Sequence, residues 1–176
     1  MKSAKSPEYN AHGQHFSLAP TLLSTDSRGY LRSGRLEKGA EMPFEAKDEY
    51  VAYSKNEVFR GMHLQKGNVF KVYQLLQGSV DFFLICAHKG CDKFGQKFQL
   101  NIQDNAPLGL IVPPGVATGY RTLNPTLILT LMSEKYISDQ EIQIHPNSVI
   151  KGGIASLKIS EKDLNAPEWE IVAAAL

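Results

Sequence analysis

The chain has 176 residues, 43% of them hydrophobic, and its formal net charge is +1 at pH 7. This length and composition suit one globular domain with a sizeable core, so we expect residues 1–176 to form a single domain. The balanced charge gives no basic stripe for nucleic acid, and no stretch approaches the roughly 18 apolar residues that cross a bilayer; we expect neither nucleic-acid nor membrane partners.

The N-terminal residues 1–18 are polar and lack the apolar core of a signal peptide. We therefore expect a loosely held arm or a leading strand, on a cytoplasmic protein. A turn signal built from Asp26, Ser27 and Gly29 follows and opens into an extended stretch.

The middle of the chain contains short β-branched and aromatic runs separated by turn residues. The runs cover residues 50–53, 69–76, 79–86, 97–102, 109–112 and 126–132. Short strands at this spacing predict an all-β sandwich or barrel and not alternating βαβ units. Cys86 and Cys91 have no second pair or His cluster nearby, so we expect reduced thiols.

The C-terminal part offers one clear helix start. Ser160 stands three residues before Asp163, as in a capping box, and Pro167 limits the length of the helix. We expect residues 160–176 to form a short helical tail that docks on the body or on a partner subunit.

Short motifs recur along the chain in a recognisable order: Asp26-Ser27-Arg28-Gly29, Arg60-Gly61-Met62-His63-Leu64-Gln65, Gly78-Ser79-Val80-Asp81, Phe94-Gly95, Pro113-Pro114-Gly115, Tyr136 with Ser138, and Ser160-Glu161-Lys162-Asp163. In order and spacing they resemble the dTDP-4-dehydrorhamnose 3,5-epimerase family, from about residue 26 to residue 167. The resemblance implies an all-β, cupin-type jelly roll with short C-terminal helical segments. It also implies a nucleotide-linked 4-keto-6-deoxy sugar as ligand, without a cofactor.

The resemblance also implies roles for individual residues. His63 matches the base that removes the proton next to the C4 ketone, and Asp163 matches the carboxylate that orients it. Arg60 and Arg28 match diphosphate contacts, with Arg28 reaching over from the other subunit of a homodimer that exchanges N-terminal strands around residues 26–55. Further substrate-binding candidates are Gln65, Asn68, Thr118, Tyr120 and Tyr136.

Strand parity predicts where His63 points. Met62 and Leu64 have the opposite parity, so His63 is expected to face the barrel cavity while its neighbours face away. A metal is not expected there. His63 is the single histidine of the first cupin metal motif, and Thr118 stands where the second motif has its histidine.

Several positions depart from the family pattern. The family's lysine falls on Asn68, its pocket aspartate on Ile85, the following arginine on Ala87, and its proton-donating tyrosine on Leu131 if the strand from 126 to 136 has no gap. A leucine supplies no proton, and Lys71, His88, Tyr120, Tyr136 or a bound water could stand in. We therefore predict poor 3,5-epimerisation of dTDP-4-keto-6-deoxyglucose.

These departures leave three functions open. The first is an epimerase with altered specificity that serves cell-surface polysaccharide biosynthesis (O-antigen or lipopolysaccharide). The second is a non-catalytic protein that binds or carries the keto-sugar nucleotide. The third is an unrelated cupin that retains only the scaffold.

Overall fold

The computed structural model describes residues 16–36, 42–106 and 108–176. Its strands, in chain order, are β1 (Ser17–Asp26), β2 (Gly29–Leu36), β3 (Asp48–Ser54), β4 (Phe59–Gln65), β5 (Lys71–Gln77), β6 (Ser79–Cys86), β7 (Lys97–Gln103), β8 (Leu108–Val112), β9 (Val116–Thr122), β10 (Thr126–Met132) and β11 (Glu141–Gln143). Two short helices end the chain, α1 (Glu161–Leu164) and α2 (Trp169–Ala175). No helix within the described ranges has the length and apolarity needed to cross a bilayer.

The strands form two antiparallel sheets. The six-stranded sheet has the order β2-β1-β8-β5-β10-β3, and the five-stranded sheet has the order β11-β4-β9-β6-β7. Two antiparallel sheets with only short helices confirm the all-β jelly roll predicted from the sequence. The short C-terminal helices were also predicted correctly.

Alternation along the strands separates inner from outer side chains. On β10, Ile128 joins an apolar cluster with Tyr73 and Phe82, whereas Leu131 joins a different cluster with Val72. Successive side chains of a strand point to opposite faces, so Thr130 shares the inner face with Ile128. The same rule decides which residues of each strand reach the cavity.

The C-terminal segment packs on the five-stranded sheet. Trp169 and Val172 of α2 lie in one buried cluster with Met62, Leu64 and Ile85. This contact covers the outer face of β4, which leaves the intervening side chains of β4 free to face inward. The predicted docking of the tail on the body is therefore observed within one chain.

Strand β9 was not among the predicted runs. Its sequence, VATGYRT, has Gly119 at the centre, and glycine is depleted in strands. Gly119 is required because β4 passes very close: a Cβ on Gly61 would lie 2.5 Å from Gly119 Cα, and one on Gly119 would lie 2.8 Å from Met62 Sδ. The close approach sets the position of β4, and hence of His63, against β9.

The N-terminal region pairs within its own chain where the structure describes it. Strand β1 pairs with β8, and β3 pairs with β10. Ser17 and Leu18, predicted as part of the arm, lie in β1, while residues 1–15 fall outside the described residues. Strand exchange with a second subunit stays a prediction.

Candidate active site

A cavity of about 1060 Å3 opens between the two sheets and contains His63. The five-stranded sheet contributes Arg60, His63, Thr118 and Tyr120, and the six-stranded sheet contributes Tyr50, Lys71, Tyr73 and Thr130. Ser160, Lys162 and Asp163 enter from the C-terminal segment. Small-molecule sites in proteins have volumes of this order.

His63 and Asp163 are in direct contact, although 100 residues separate them in the chain. Their Nε2 and Oδ1 atoms lie 2.8 Å apart. Asp163 is fixed by the start of α1, where Ser160 Oγ donates to Asp163 Oδ2 at 2.8 Å and the Asp163 N–H donates back at 3.2 Å. The Ser160 hydroxyl therefore caps the helix and holds the Asp163 carboxylate, which in turn orients the imidazole.

The ionisation of Asp163 decides which histidine nitrogen carries the proton. Burial by itself raises the pKa of Asp163, but hydrogen bonds from His63, Ser160 and the Gly61 N–H, together with the charge of His63, bring this pKa below its ordinary value. An ionised carboxylate only accepts hydrogen bonds, so Nε2 of His63 carries the proton. The other ring nitrogen, Nδ1, faces Glu141 Oε1 at 3.3 Å.

Glu141 is the main site residue that the sequence analysis missed. Its side chain is 4% exposed, and Oε1 lies 3.3 Å from His63 Nδ1. Gln65 Nε2 donates to Oε1 at 2.8 Å, while Tyr136 Oη and Lys162 Nζ each donate to Oε2 at 3.2 Å. Glu141 therefore joins His63, Gln65, Tyr136 and Lys162 in one cluster of polar contacts at the cavity wall.

Lys71 supplies the cation of the six-stranded sheet. Burial lowers the pKa of Lys71 to about 8, and the charge of Glu141 partly opposes this. Asn68, onto which the family's lysine was placed, is exposed and lines other cavities with Lys66 and Gly67. Lys71 therefore lines the cavity that contains His63, and Asn68 does not.

The predicted position of the proton donor also changes. Leu131 packs in the cluster with Val72 and Ile111 and does not line the cavity. Thr130 faces the cavity instead, and it shares a hydrogen bond with the hydroxyl of Tyr50, its partner in the β3–β10 register. One residue along a strand is enough to move a side chain to the other face.

Other predicted substrate-binding residues do line this cavity. They are Arg60, Gln65, Thr118, Tyr120 and Tyr136. Arg60 Nε donates to Ser54 Oγ at 2.9 Å, which leaves most of its guanidinium donors free to meet a ligand. Thr118 Oγ1 is buried and has no hydrogen-bond partner among the described residues. Their binding roles stay predictions.

Arg28 lies outside the cavity of its own chain. It is exposed at the β1–β2 turn, where Nη2 contacts Asp26 Oδ2 at 2.6 Å. A role for Arg28 at a binding site would require a second subunit, as the sequence analysis proposed.

Three other residues discussed in the sequence analysis also lie outside this cavity. Ile85 is fully buried in the core, and Ala87 and His88 line a separate cavity of about 590 Å3.

The described residues contain no group of three His, Cys, Asp or Glu side chains arranged to hold a metal.

The cysteines Cys86 and Cys91 are both buried and free. Burial, followed by a hydrogen bond with Cys91, raises the pKa of the Cys86 thiol to about 12, which keeps it protonated and unreactive near neutral pH.

Comparison with known proteins shows which family the chain resembles. The model of the dTDP-4-dehydrorhamnose 3,5-epimerase family matches residues 16–170. The enzyme of that name from Bacillus anthracis, solved with TDP and PPi bound, is 26% identical with a TM-score of 0.80, covering 93% of this chain and 98% of that chain. No curated protein matches the sequence.

Two more distant structures share the fold. The epimerase RmlC from Legionella pneumophila, solved with dTDP-4-keto-L-rhamnose, is 18% identical with a TM-score of 0.82, covering 97% of this chain and 94% of that chain. ChmJ, a 3'-monoepimerase from Streptomyces bikiniensis solved with dTDP-quinovose, is 16% identical with a TM-score of 0.73, covering 91% of this chain and 94% of that chain.

The two sheets and the enclosed cavity define a cupin-like jelly-roll protein. More narrowly, because the family model spans most of its length, the chain belongs to the dTDP-4-dehydrorhamnose 3,5-epimerase family.

Proposed function

We propose that the protein is an epimerase that inverts a carbon next to the ketone of a nucleotide-linked 4-keto-6-deoxy sugar. The observation that carries the proposal is the His63–Asp163 pair at 2.8 Å, with Lys71 on the facing sheet of the same cavity. A base and a nearby cation are the groups that removal of a proton next to a ketone requires.

The chemistry assigned to each group follows from its surroundings. His63 takes the proton from the carbon, and Asp163 holds the ring while the imidazolium exists. Lys71, with a pKa of about 8, is largely protonated at neutral pH and stabilises the negative oxygen of the enolate. Arg60 is the arginine of the cavity that we assign to the diphosphate.

The positions of Asn68 and Leu131 favour a catalytic function over a non-catalytic carrier. Poor activity was predicted because Asn68 and Leu131 were placed at the cation and proton-donor positions. Neither residue lines the cavity, while Lys71 does. Poor activity on dTDP-4-keto-6-deoxyglucose stays a prediction, and we propose that the protein catalyses proton transfer next to the ketone of its own sugar.

The ligands of relatives support a dTDP-linked sugar. Relatives were solved with TDP, with dTDP-4-keto-L-rhamnose and with dTDP-quinovose.

We propose that the enzyme works in the cytoplasm, in the synthesis of a cell-surface polysaccharide such as O-antigen. We further propose a homodimer in which Arg28 serves the partner's cavity; sedimentation of a monomer at micromolar concentration would contradict this.

The test of the proposed function is proton exchange in deuterated water. The protein is incubated with dTDP-4-keto-6-deoxyglucose, and deuterium at C3 and C5 is followed by NMR and mass spectrometry. Enzyme-dependent exchange supports the proposal. Tight binding of the keto sugar without any exchange would instead support the carrier.

A further inference from the structure

Tyr50 lines the cavity from the sheet that faces His63. Strand β3 holds Tyr50 at the edge of the six-stranded sheet, whereas β4 holds His63 in the five-stranded sheet. Inversion of a carbon needs a base on one face and an acid on the other. Tyr50 is therefore on the correct side of the cavity to deliver a proton opposite the base.

The hydroxyl of Tyr50 has a rigid partner. It shares a hydrogen bond with Thr130, whose side chain is 1% exposed on β10. Tyr50 itself is 43% exposed and lines the open cavity, so its phenol can reach a ligand. Burial raises the pKa of Tyr50, and the Thr130 hydrogen bond offsets part of this rise. The phenol is consequently protonated and able to donate at neutral pH.

Other phenols that line the cavity within the described residues are less suitable. Tyr120 lies on β9, next to β4 in the same sheet as His63. Tyr136 Oη donates to Glu141, the carboxylate that also lies beside His63. Tyr73 is 7% exposed and packs against Phe82, with ring centroids 5.4 Å apart.

We propose that Tyr50 is the catalytic proton donor of this enzyme, an inference that rests on the proposed epimerase function. After His63 has taken the proton from one face, the enolate takes the Tyr50 phenol proton at the same carbon from the opposite face. The C–H bond re-forms with inverted configuration, and the C4 ketone is restored. The phenolate then regains a proton from water, and the His63 imidazolium releases one, so the reaction needs no oxidant or co-reactant.

The substitution Tyr50→Phe tests the proposal, because it removes the phenol proton and keeps the ring. In deuterated water the variant is expected to exchange the substrate hydrogen at a rate within a few fold of the unaltered enzyme. His63 would return deuterium to the original face, so the recovered sugar keeps its configuration. Formation of the inverted product is expected to fall by about a hundredfold or more.

The matched control is Tyr53→Phe on the same strand. Tyr53 has the opposite parity and is 59% exposed, so both exchange and inversion are expected to stay unchanged. Circular dichroism and the thermal shift on addition of dTDP confirm that each variant is folded and binds nucleotide.

The outcomes separate this inference from the function on which it rests. Absence of exchange with the unaltered protein would refute the epimerase function itself. Exchange in the unaltered protein, with full inversion by Tyr50→Phe, would overturn the role of Tyr50 alone. Loss of both exchange and inversion in a folded Tyr50→Phe variant that binds dTDP would also overturn it, since a donor on the second face is not needed for abstraction.

Discussion

Glu141 lies against the nitrogen of His63 that does not contact Asp163, with Oε1 3.3 Å from Nδ1. The imidazole thus lies between two carboxylates, one at each ring nitrogen. Glu141 also raises the pKa of Lys71 against the effect of burial. The two cations that the proposed reaction uses, His63 after abstraction and Lys71 throughout, therefore share one buried anion.

Glu141→Gln is expected to lower the pKa of Lys71 further below about 8, because it removes the charge that opposes the effect of burial. The amide keeps the shape of the side chain. Titration of the Lys71 side chain by heteronuclear NMR measures this without substrate. Glu134→Gln, at an exposed glutamate that pairs with Lys47, is the control. An unchanged Lys71 titration in Glu141→Gln would show that the two groups are not coupled.

Lys71 is expected to make the free energy of unfolding rise with pH. Folding lowers its pKa from 10.5 to about 8, so between these pH values the unfolded chain binds more protons than the folded chain. Stability contributed through this group therefore increases from about pH 8 to about pH 10.5, and below pH 8 burial of the charge is unfavourable. Urea unfolding of the protein and of Lys71→Met over this range isolates the effect. The stability advantage of the methionine variant is expected to shrink as the pH rises.

Lys71→Met is expected to reduce the rate of deuterium exchange by about two to three orders of magnitude, since it removes one positioned charge near the enolate. Asn68→Ala is the matched control, because the sequence analysis placed the family's lysine on Asn68. We expect its exchange rate to stay within about twofold of that of the unaltered enzyme. The pH dependence gives a second measurement: the exchange rate should fall above about pH 8 as Lys71 loses its proton. A large effect of Asn68→Ala with a small effect of Lys71→Met would reverse the assignment.

His63→Asn and Asp163→Asn are expected to reduce exchange by different routes. The first removes the base, which contributes about 10² to 10⁴ in rate. The second keeps a side chain at the start of α1 but removes the charge that orients His63 and stabilises its imidazolium. We expect exchange to fall at least about tenfold in Asp163→Asn, with dTDP binding retained in both variants. Full exchange by His63→Asn would assign the base elsewhere.

Leu131→Ala is expected to affect stability and not catalysis. The side chain packs outside the cavity with Val72 and Ile111, so its removal should lower the free energy of unfolding by about 2 to 3 kcal/mol. Urea unfolding measures this loss, and exchange at a temperature well below the unfolding midpoint should be unaltered. A specific loss of exchange in a stable variant would restore Leu131 to the site.

Several features followed from the sequence alone because they depend on local pattern. Alternating and β-branched runs predicted most of the strands, and parity predicted that His63 points inward while Met62 and Leu64 point outward. The spacing of Ser160 and Asp163 predicted the start of α1, where the Ser160 hydroxyl accepts the Asp163 N–H as the N-cap. The family followed from the order of its short motifs, and the family model confirms it.

The arrangement of the cavity was decided only by the tertiary structure. Glu141 reaches His63 because the distant strand β11 pairs with β4, and Lys71 and Tyr50 line the same cavity because the six-stranded sheet lies on its other side. Counting along the sequence placed the family's lysine on Asn68 and its tyrosine on Leu131, and it could not show which side chains enter the cavity, because the start of a strand after a loop has no sharp sequence signal. Neighbouring residues of a strand point to opposite faces, so Leu131 packs outside the cavity while Thr130 and its partner Tyr50 line it.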